Sequence, residues 1–300
     1  MKVAVTGATG LIGSALVKFL EGNEYEIVSL RRSSTEIDFI KTWNPLDATF
    51  SDGAMDGVDA IVHLAGENIA SRRWTKEQKT RIRDSRINGT RHLAEALANL
   101  KHPPKTFIVA SAIGFYGDRG DEHVDESSSV GSGFLAETCQ SWEQAAAPAR
   151  VIGIRVVNLR IGVVLTPTGG ALGQMLLPFK IGVGGVIGSG RQYMSWVALD
   201  DVLTSVLHVL RMNHLSGVVN VVAPGVVTNR EFTKILGKVL RRPTLFPVPA
   251  VAVRLIFGEM ADELLLSSTY VRPGQLQETG FVFDHPTLEG ALRHLLGRAV

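Results

Sequence analysis

The sequence predicts an α/β fold: a doubly wound parallel sheet followed by a smaller C-terminal region. Three observations carry this expectation. Short apolar runs alternate with helix-patterned segments through the first half of the chain. The runs are apolar at successive positions, as strands buried on both faces are. After about Thr166 the texture changes, with glycine pairs marking loops and prolines marking a linker.

The first strand is read at Val3 to Val5 and leads straight into glycines. Behind it Ile12, Leu16, Phe19 and Leu20 are spaced for one face of a helix. Further strands are read at Glu26 to Leu30, Ala60 to Leu64, Thr106 to Ala110 and Gly153 to Leu159. The helices between them run from about Lys76 to Leu100 and from about Phe134 to Ala147. Beyond Thr166, Gly169-Gly170, Gly184-Gly185 and Gly188-Ser189-Gly190 read as loops. Asp200 to Met212 and Asn229 to Leu240 read as helices, the latter capped by Thr228 or Asn229. Val218 to Val222 is one more strand, and Pro243, Pro247 and Pro249 punctuate a linker before two short helical patterns.

Composition narrows the function classes. Of 300 residues, 45% are apolar and 20% charged, which suits a sizeable core and argues against disorder. Lys and Arg number 31 against 29 Asp and Glu, so a net charge of +2 speaks against a protein built to coat nucleic acid. The single cysteine, Cys139, excludes an intramolecular disulfide and a multi-cysteine zinc site. The eight histidines show no metal-ligand spacing, so no metal is expected. Arg155 and Arg160 cut the long apolar run from Val151 to Leu165, well short of a membrane helix. A strand pattern beginning at Lys2 leaves no room for a signal peptide, and a cytoplasmic protein is expected.

The strongest motif is Thr6-Gly7-Ala8-Thr9-Gly10-Leu11-Ile12-Gly13, between the first strand and the first helix. Glycines there allow a tight turn, close approach of backbone to a pyrophosphate, and tight packing of helix on strand. The phosphates would rest on the free N–H groups at the helix start. The fold is therefore expected to be Rossmann-like, with Gly7, Thr9, Gly10, Leu11 and Ile12 touching a dinucleotide. Residues 1–165 would form this domain, its sheet completed by parts of 190–225, with 166–300 as a smaller substrate region. NAD-specific proteins place an acidic residue about 20 residues further on to hold the ribose diol. Here that place holds Leu30-Arg31-Arg32. Two guanidinium groups suit a 2′-phosphate, which points to NADP(H).

These residues resemble a known superfamily, the short-chain dehydrogenase/reductases. TGATGLIG matches its glycine signature, His63-Leu64-Ala65-Gly66 its segment closing the third strand, and Arg86-Ile87-Asn88-Gly89-Thr90 its NVxGT segment. Leu159-Arg160-Ile161-Gly162 and Trp196 to Asp201 resemble blocks of the extended, nucleotide-sugar-epimerase-like branch. LAGENIA (64–70), SAIGFYG (111–117), GGALGQMLLPFK (169–180) and IGSGRQYMSW (187–196) are similar to one subgroup. That subgroup is labelled as cell-division-inhibitor homologues or NADP-dependent oxidoreductases. Its small C-terminal module is matched around Val271-Arg272-Pro273 and Gly280-Phe281. The resemblance implies further cofactor contacts from Leu64, Ala65, Gly66, Arg81, Arg86, Ala110, Arg160 and Val164. It also implies a homodimer formed through the helices near 76–100 and 134–147.

One departure bears on the chemistry. Superfamily enzymes use a Tyr with a Lys four residues on, and a Ser nearby, to move a proton while hydride moves at the nicotinamide. Here the corresponding helix reads Gly133-Phe134-Leu135-Ala136-Glu137-Thr138-Cys139-Gln140, without phenol or ammonium. Ser111, Tyr116, His123 and Glu137 remain as proton carriers, with Ser111 and Tyr116 put forward. Arg160 ends an apolar strand and needs either a carboxylate or a ligand as partner. The segment Arg72 to Arg86 holds seven basic residues against Glu77 and Asp84. Its few aromatics favour a solvated helix with one or two cofactor-facing arginines over a nucleic-acid groove. Two readings follow. One is an NADP(H)-dependent oxidoreductase or epimerase-like protein acting on an unidentified small polar substrate. The other is a non-catalytic NADP(H)-binding regulator.

Overall fold

The structure is a computed structural model that describes residues 1–32, 41–44 and 48–298. In chain order its elements are β1 (Lys2–Thr6), α1 (Leu11–Gly22), β2 (Glu26–Arg32), β3 (Thr42–Asn44), β4 (Thr49–Phe50), β5 (Ala60–His63), α2 (Lys76–Ala98) and β6 (Thr106–Ala112). There follow β7 (His123–Val124), α3 (Phe134–Gln144), α4 (Ala147–Val151), β8 (Arg155–Ile161), β9 (Val163–Thr166), α5 (Gly170–Lys180), β10 (Tyr193–Met194) and β11 (Trp196–Ala198). The last are α6 (Leu199–Arg211), β12 (Gly217–Val221), β13 (Val227–Thr228), α7 (Asn229–Leu240), α8 (Ala250–Phe257), β14 (Tyr270–Val271), α9 (Gly274–Glu278) and α10 (Leu288–Leu295). An eight-stranded, mostly parallel sheet runs in the order β12-β8-β6-β5-β1-β2-β3-β4. Its β3–β4 pair is antiparallel. Among the described residues no helix is long and apolar enough to cross a membrane.

The chain divides into two compact units that interleave along the sequence. The first comprises Met1–Ser111, Thr138–Leu159 and Val206–Val218; the second comprises Ala112–Glu137, Arg160–Ser205 and Val219–Val300.

In the first unit β1 lies between β2 and β5, in parallel register with both. Val3, Ala4 and Val5 are consequently buried on both faces, which is why the strand reads as unbroken apolar sequence. Leu16 and Leu20 of α1 seal one face of this core. The long helix α2 starts at Thr75, whose hydroxyl accepts the Gln78 N–H at 3.2 Å. Arg155, one of the two charges that interrupt the apolar run, donates to Thr106 Oγ1 and to the carbonyls of Val209, Met212 and Leu215.

Most element boundaries shift by one or two residues from the sequence reading, and two of the differences have a specific local cause. The helix expected over 134–147 stops at Gln144 and restarts as α4, because Pro148 lacks an N–H and is accommodated only in a first helical turn. The strand expected from Gly153 begins at Arg155 instead, because Gly153 takes φ 88° in the turn that ends α4. The strands β3 and β4 are too short to leave a periodic signature.

In the second unit Leu172, Leu176 and Phe179 of α5 pack with Trp196, with Phe232 and Leu236 of α7, and with Leu288 and Leu292 of α10. The helix α7 begins in a capping box formed by Thr228 and Glu231. Two short parallel and antiparallel pairs, β7–β14 and β10–β13, tie the loops of this unit together.

Candidate functional site

The glycine motif forms the turn from β1 into α1. Gly7 has φ 71°, and a Cβ on it would lie 2.8 Å from the Ala65 backbone nitrogen and the Leu64 carbonyl carbon. A Cβ on Gly13 would collide with the Gly7 carbonyl oxygen. The turn closes through Gly10 N–H donating to Gly7 O at 2.9 Å. Gly10 supplies the N-cap of α1 without a side chain, and the first turn holds no acidic residue. Free N–H groups and the positive end of the helix are thus presented with no internal carboxylate to neutralise them. Thr9 and Gly10 are exposed at this turn, and Leu11 and Ile12 are half-buried behind it.

Beside the turn lies a cavity of about 210 Å³ lined by Arg32, Trp43, His63, Ala65, Asp84, Ser85, Asn88, Gly89 and His92. His63 is one of its lining residues. Its Nδ1 is 2.6 Å from Thr6 Oγ1, and burial, with the Arg32 charge second, pushes its pKa down to about 3. The ring is therefore neutral at ordinary pH. Its Nε2 is buried and has no hydrogen-bond partner among the described residues, and neither has the Trp43 indole N–H. Trp43 stands edge-on to His63 with ring centroids 6.2 Å apart. Two residues that line the cavity thus each carry a buried polar atom without a partner among the described residues. Arg31 and Arg32 are both exposed at the end of β2, and only Arg32 lines the cavity.

The other expected contacts of this unit are placed as follows. Leu64 continues from β5, its N–H donating to Thr6 O at 3.2 Å. Gly66 leaves room for Arg86, whose guanidinium carbon would sit 3.4 Å from a Cβ there. Arg86 donates to the carbonyls of Glu67 and Ile82 and lies 5.1 Å from the Trp142 ring centroid. Arg81 is held by Gln78 Oε1 at 2.7 Å. Ala110 is buried in β6. Next to it, Ser111 donates to Glu143 Oε1 at 2.8 Å, with both residues buried.

The remaining expected residues belong to the second unit. Tyr116 ends a short 3-10 turn at Ile113–Tyr116 and is fully buried. Its hydroxyl donates to Asn220 Oδ1 at 2.7 Å and accepts from Arg160 Nη1 at 3.0 Å. Burial pushes this phenol up to about 12 against the opposing pull of Arg160, so it holds its proton at neutral pH. Arg160 is buried as well, its guanidinium carbon 3.3 Å from the Phe115 ring centroid. The charge at the end of β8 is thus met by aromatic faces and a phenol. Val164 pairs with Val197 in the β9–β11 ladder.

His123 stacks on Tyr270 at 3.8 Å in the β7–β14 pair. The first turn of α3, the helix without the Tyr/Lys pair, is capped by Glu263, which accepts from the N–H groups of Phe134 and Leu135 at 3.0 and 3.2 Å.

The cavity-lining residues that sequence reasoning did not put forward are Trp43, His63, Asp84, Ser85, Asn88, Gly89 and His92. Ser85, Asn88, Gly89 and His92 recur at i, i+3, i+4 and i+7, one face of α2, and that spacing was a usable signal. Trp43 carried none.

Comparison with known proteins gives matches along the whole chain. A family model described as the NAD dependent epimerase/dehydratase family matches residues 3–222. A domain of unknown function, DUF1731, matches residues 248–295. An epimerase family protein of Mycobacterium bovis is 44% identical over 296 residues, 99% of this chain and 98% of the relative. The human epimerase family protein SDR39U1 is 37% identical over 303 residues, 99% of this chain and 100% of the relative. The crystal structure of human SDR39U1 (isoform 2) with NADPH superposes with a TM-score of 0.90 at 34% identity, covering 100% of both chains. A nucleoside-diphosphate sugar epimerase from Corynebacterium glutamicum gives a TM-score of 0.81 at 36% identity, covering 99% of this chain and 58% of that longer one.

Proposed function

The chain belongs to the NAD dependent epimerase/dehydratase family, and from that premise we propose that it is an NADP(H)-dependent oxidoreductase or epimerase-like protein acting on a small polar substrate in the cytoplasm. The observation that carries the proposal is the cavity beside the glycine turn. Arg32, His63 and Trp43 line it, and among the described residues the buried His63 Nε2 and Trp43 Nε1 have no hydrogen-bond partner. The residues present fit a dinucleotide. Gly7 and Gly13 keep side chains out of the turn, and no carboxylate stands in the first turn of α1 to repel a pyrophosphate. Arg32, with Arg31 beside it, supplies the forked donors that a 2′-phosphate takes. The NADPH held by human SDR39U1 supports the same choice of cofactor. When bound, the nicotinamide would supply hydride exchange.

The chain's own groups bind and orient rather than shuttle protons in any familiar pattern. Ser111 is turned toward Glu143 and the Tyr116 phenol is buried and engaged at both its donor and acceptor positions. These two observations favour a second reading, a regulator that binds NADP(H) without turning it over.

Fluorescence titration with NADPH and NADH tests the cofactor proposal. NADPH is expected to bind at least tenfold tighter, and R31A/R32A to remove most of that preference. Equal affinities, or no binding of either, would overturn it. Stereospecific tritium exchange between the reduced cofactor and a cell-extract metabolite pool separates the two readings, exchange favouring the enzyme and its absence the regulator.

A further inference from the structure

The second unit contains a cluster that the cofactor reading does not use. Asp200 in the first turn of α6, His285 in the loop before α10 and His294 in the last turn of α10 bring one ligand atom each within 4.8 Å of one another. His294 Nε2 lies 3.0 Å and His285 Nε2 3.6 Å from the same oxygen, Asp200 Oδ2. The two imidazole rings are 4.4 Å apart and tilted by 31°. From these positions we propose that Asp200, His285 and His294 form a binding site for a divalent late first-row transition ion, with Zn²⁺ as the leading candidate.

Bond lengths support the assignment. Zinc bonds of about 2.0–2.1 Å at tetrahedral angles place neighbouring ligand atoms about 3.3–3.4 Å apart. The two measured separations bracket that value, so small side-chain rotations would seat the ion. Two imidazoles and one carboxylate form a borderline donor set, which suits Zn²⁺, Co²⁺ or Ni²⁺ rather than the all-oxygen preference of Mg²⁺ and Ca²⁺.

The backbone around the cluster is fixed. Asp201, the buried neighbour of Asp200, accepts the N–H groups of Asp284 and His285 at 2.7 and 3.2 Å. One carboxylate thus holds the loop that carries His285 while the next one along α6 faces the imidazoles. This division of labour resembles outer-sphere support of a ligand. The site is also reachable. Asp200 and His294 are part-exposed, and a cavity of about 460 Å³ lined by Asp284, His285, Thr287, Gly290, His294 and Arg298 opens beside the two rings. With three protein ligands, a fourth position is left for water or a small anion from that cavity.

Chelator-stripped full-length protein titrated with Zn²⁺ by calorimetry and with Co²⁺ by visible absorption tests the proposal. One equivalent is expected to bind with micromolar or tighter affinity, and Co²⁺ is expected to show a tetrahedral or five-coordinate d–d spectrum. H294Q, at a half-exposed position, and H285Q are each expected to weaken binding at least tenfold. NADPH affinity, set by residues of the other unit, should be unchanged. No binding, or binding undiminished in H294Q, would overturn the assignment. Should H285Q fail to fold, H294Q together with D200N carries the decision.

Discussion

The buried, neutral His63 makes a quantitative demand on stability. In the folded chain its pKa is pushed down to about 3, whereas the unfolded chain returns it to 6.5. Below pH 6.5 the unfolded state therefore binds a proton that the folded state excludes. Stability attributable to this residue is complete above pH 6.5 and is lost progressively as pH falls toward 3. Each pH unit inside that window is worth about 1.4 kcal/mol, so moving from pH 7 to pH 4.5 removes about 2–3 kcal/mol. The perturbation is H63Q, which keeps a hydrogen-bonding group near Thr6 but cannot be protonated. Urea unfolding of both proteins at pH 7 and pH 4.5 isolates the term, because all other titrating groups are shared. The wild type is expected to lose about 2–3 kcal/mol more than H63Q across that interval. Equal losses in the two proteins would refute the placement of a neutral imidazole against Thr6.

Two further outcomes follow from the same geometry. G13A drives a methyl group into the Gly7 carbonyl, so it should lower stability by about 1–3 kcal/mol and weaken NADPH at least tenfold by calorimetry; affinity within twofold of wild type would contradict the cradle. Y116F takes one partner each from Asn220 and Arg160 and should cost about 1–3 kcal/mol in thermal unfolding, with NADPH affinity unchanged.

What could be read in the sequence was local. The strand, glycine turn and helix from Lys2 to Gly22 are contiguous, and of their glycines Gly13 answers to a clash within the turn and Gly7 to one with the backbone after β5. The arginine pair is likewise fixed by its distance from that turn. The partners of Arg160 were not legible, because Tyr116 lies 44 residues earlier and the Asn220 that completes the network is 104 residues beyond Tyr116. The Asp200–His294 contact spans 94 residues and has no spacing of its own. Such constellations exist only once the second unit has folded. The α3–α4 break was visible in principle, since Pro148 disfavours helix in the turn that precedes it.

The cap on α3 bears on how this chain can be divided. Family models break between residues 222 and 248, which suggests a detachable C-terminal piece. The polypeptide is not built that way. Glu263 satisfies the first two amides of a helix that begins at residue 134, Tyr270 and Val271 form the second strand of a ladder with His123 and Val124, and Ser195 accepts from Val271 N–H while donating to Thr269 O. Truncation near residue 248 would thus strip hydrogen-bond partners from three segments earlier in the chain and leave a helix end and a strand edge bare. The segment after residue 248 thus supplies hydrogen bonds that elements as early as residue 123 depend on.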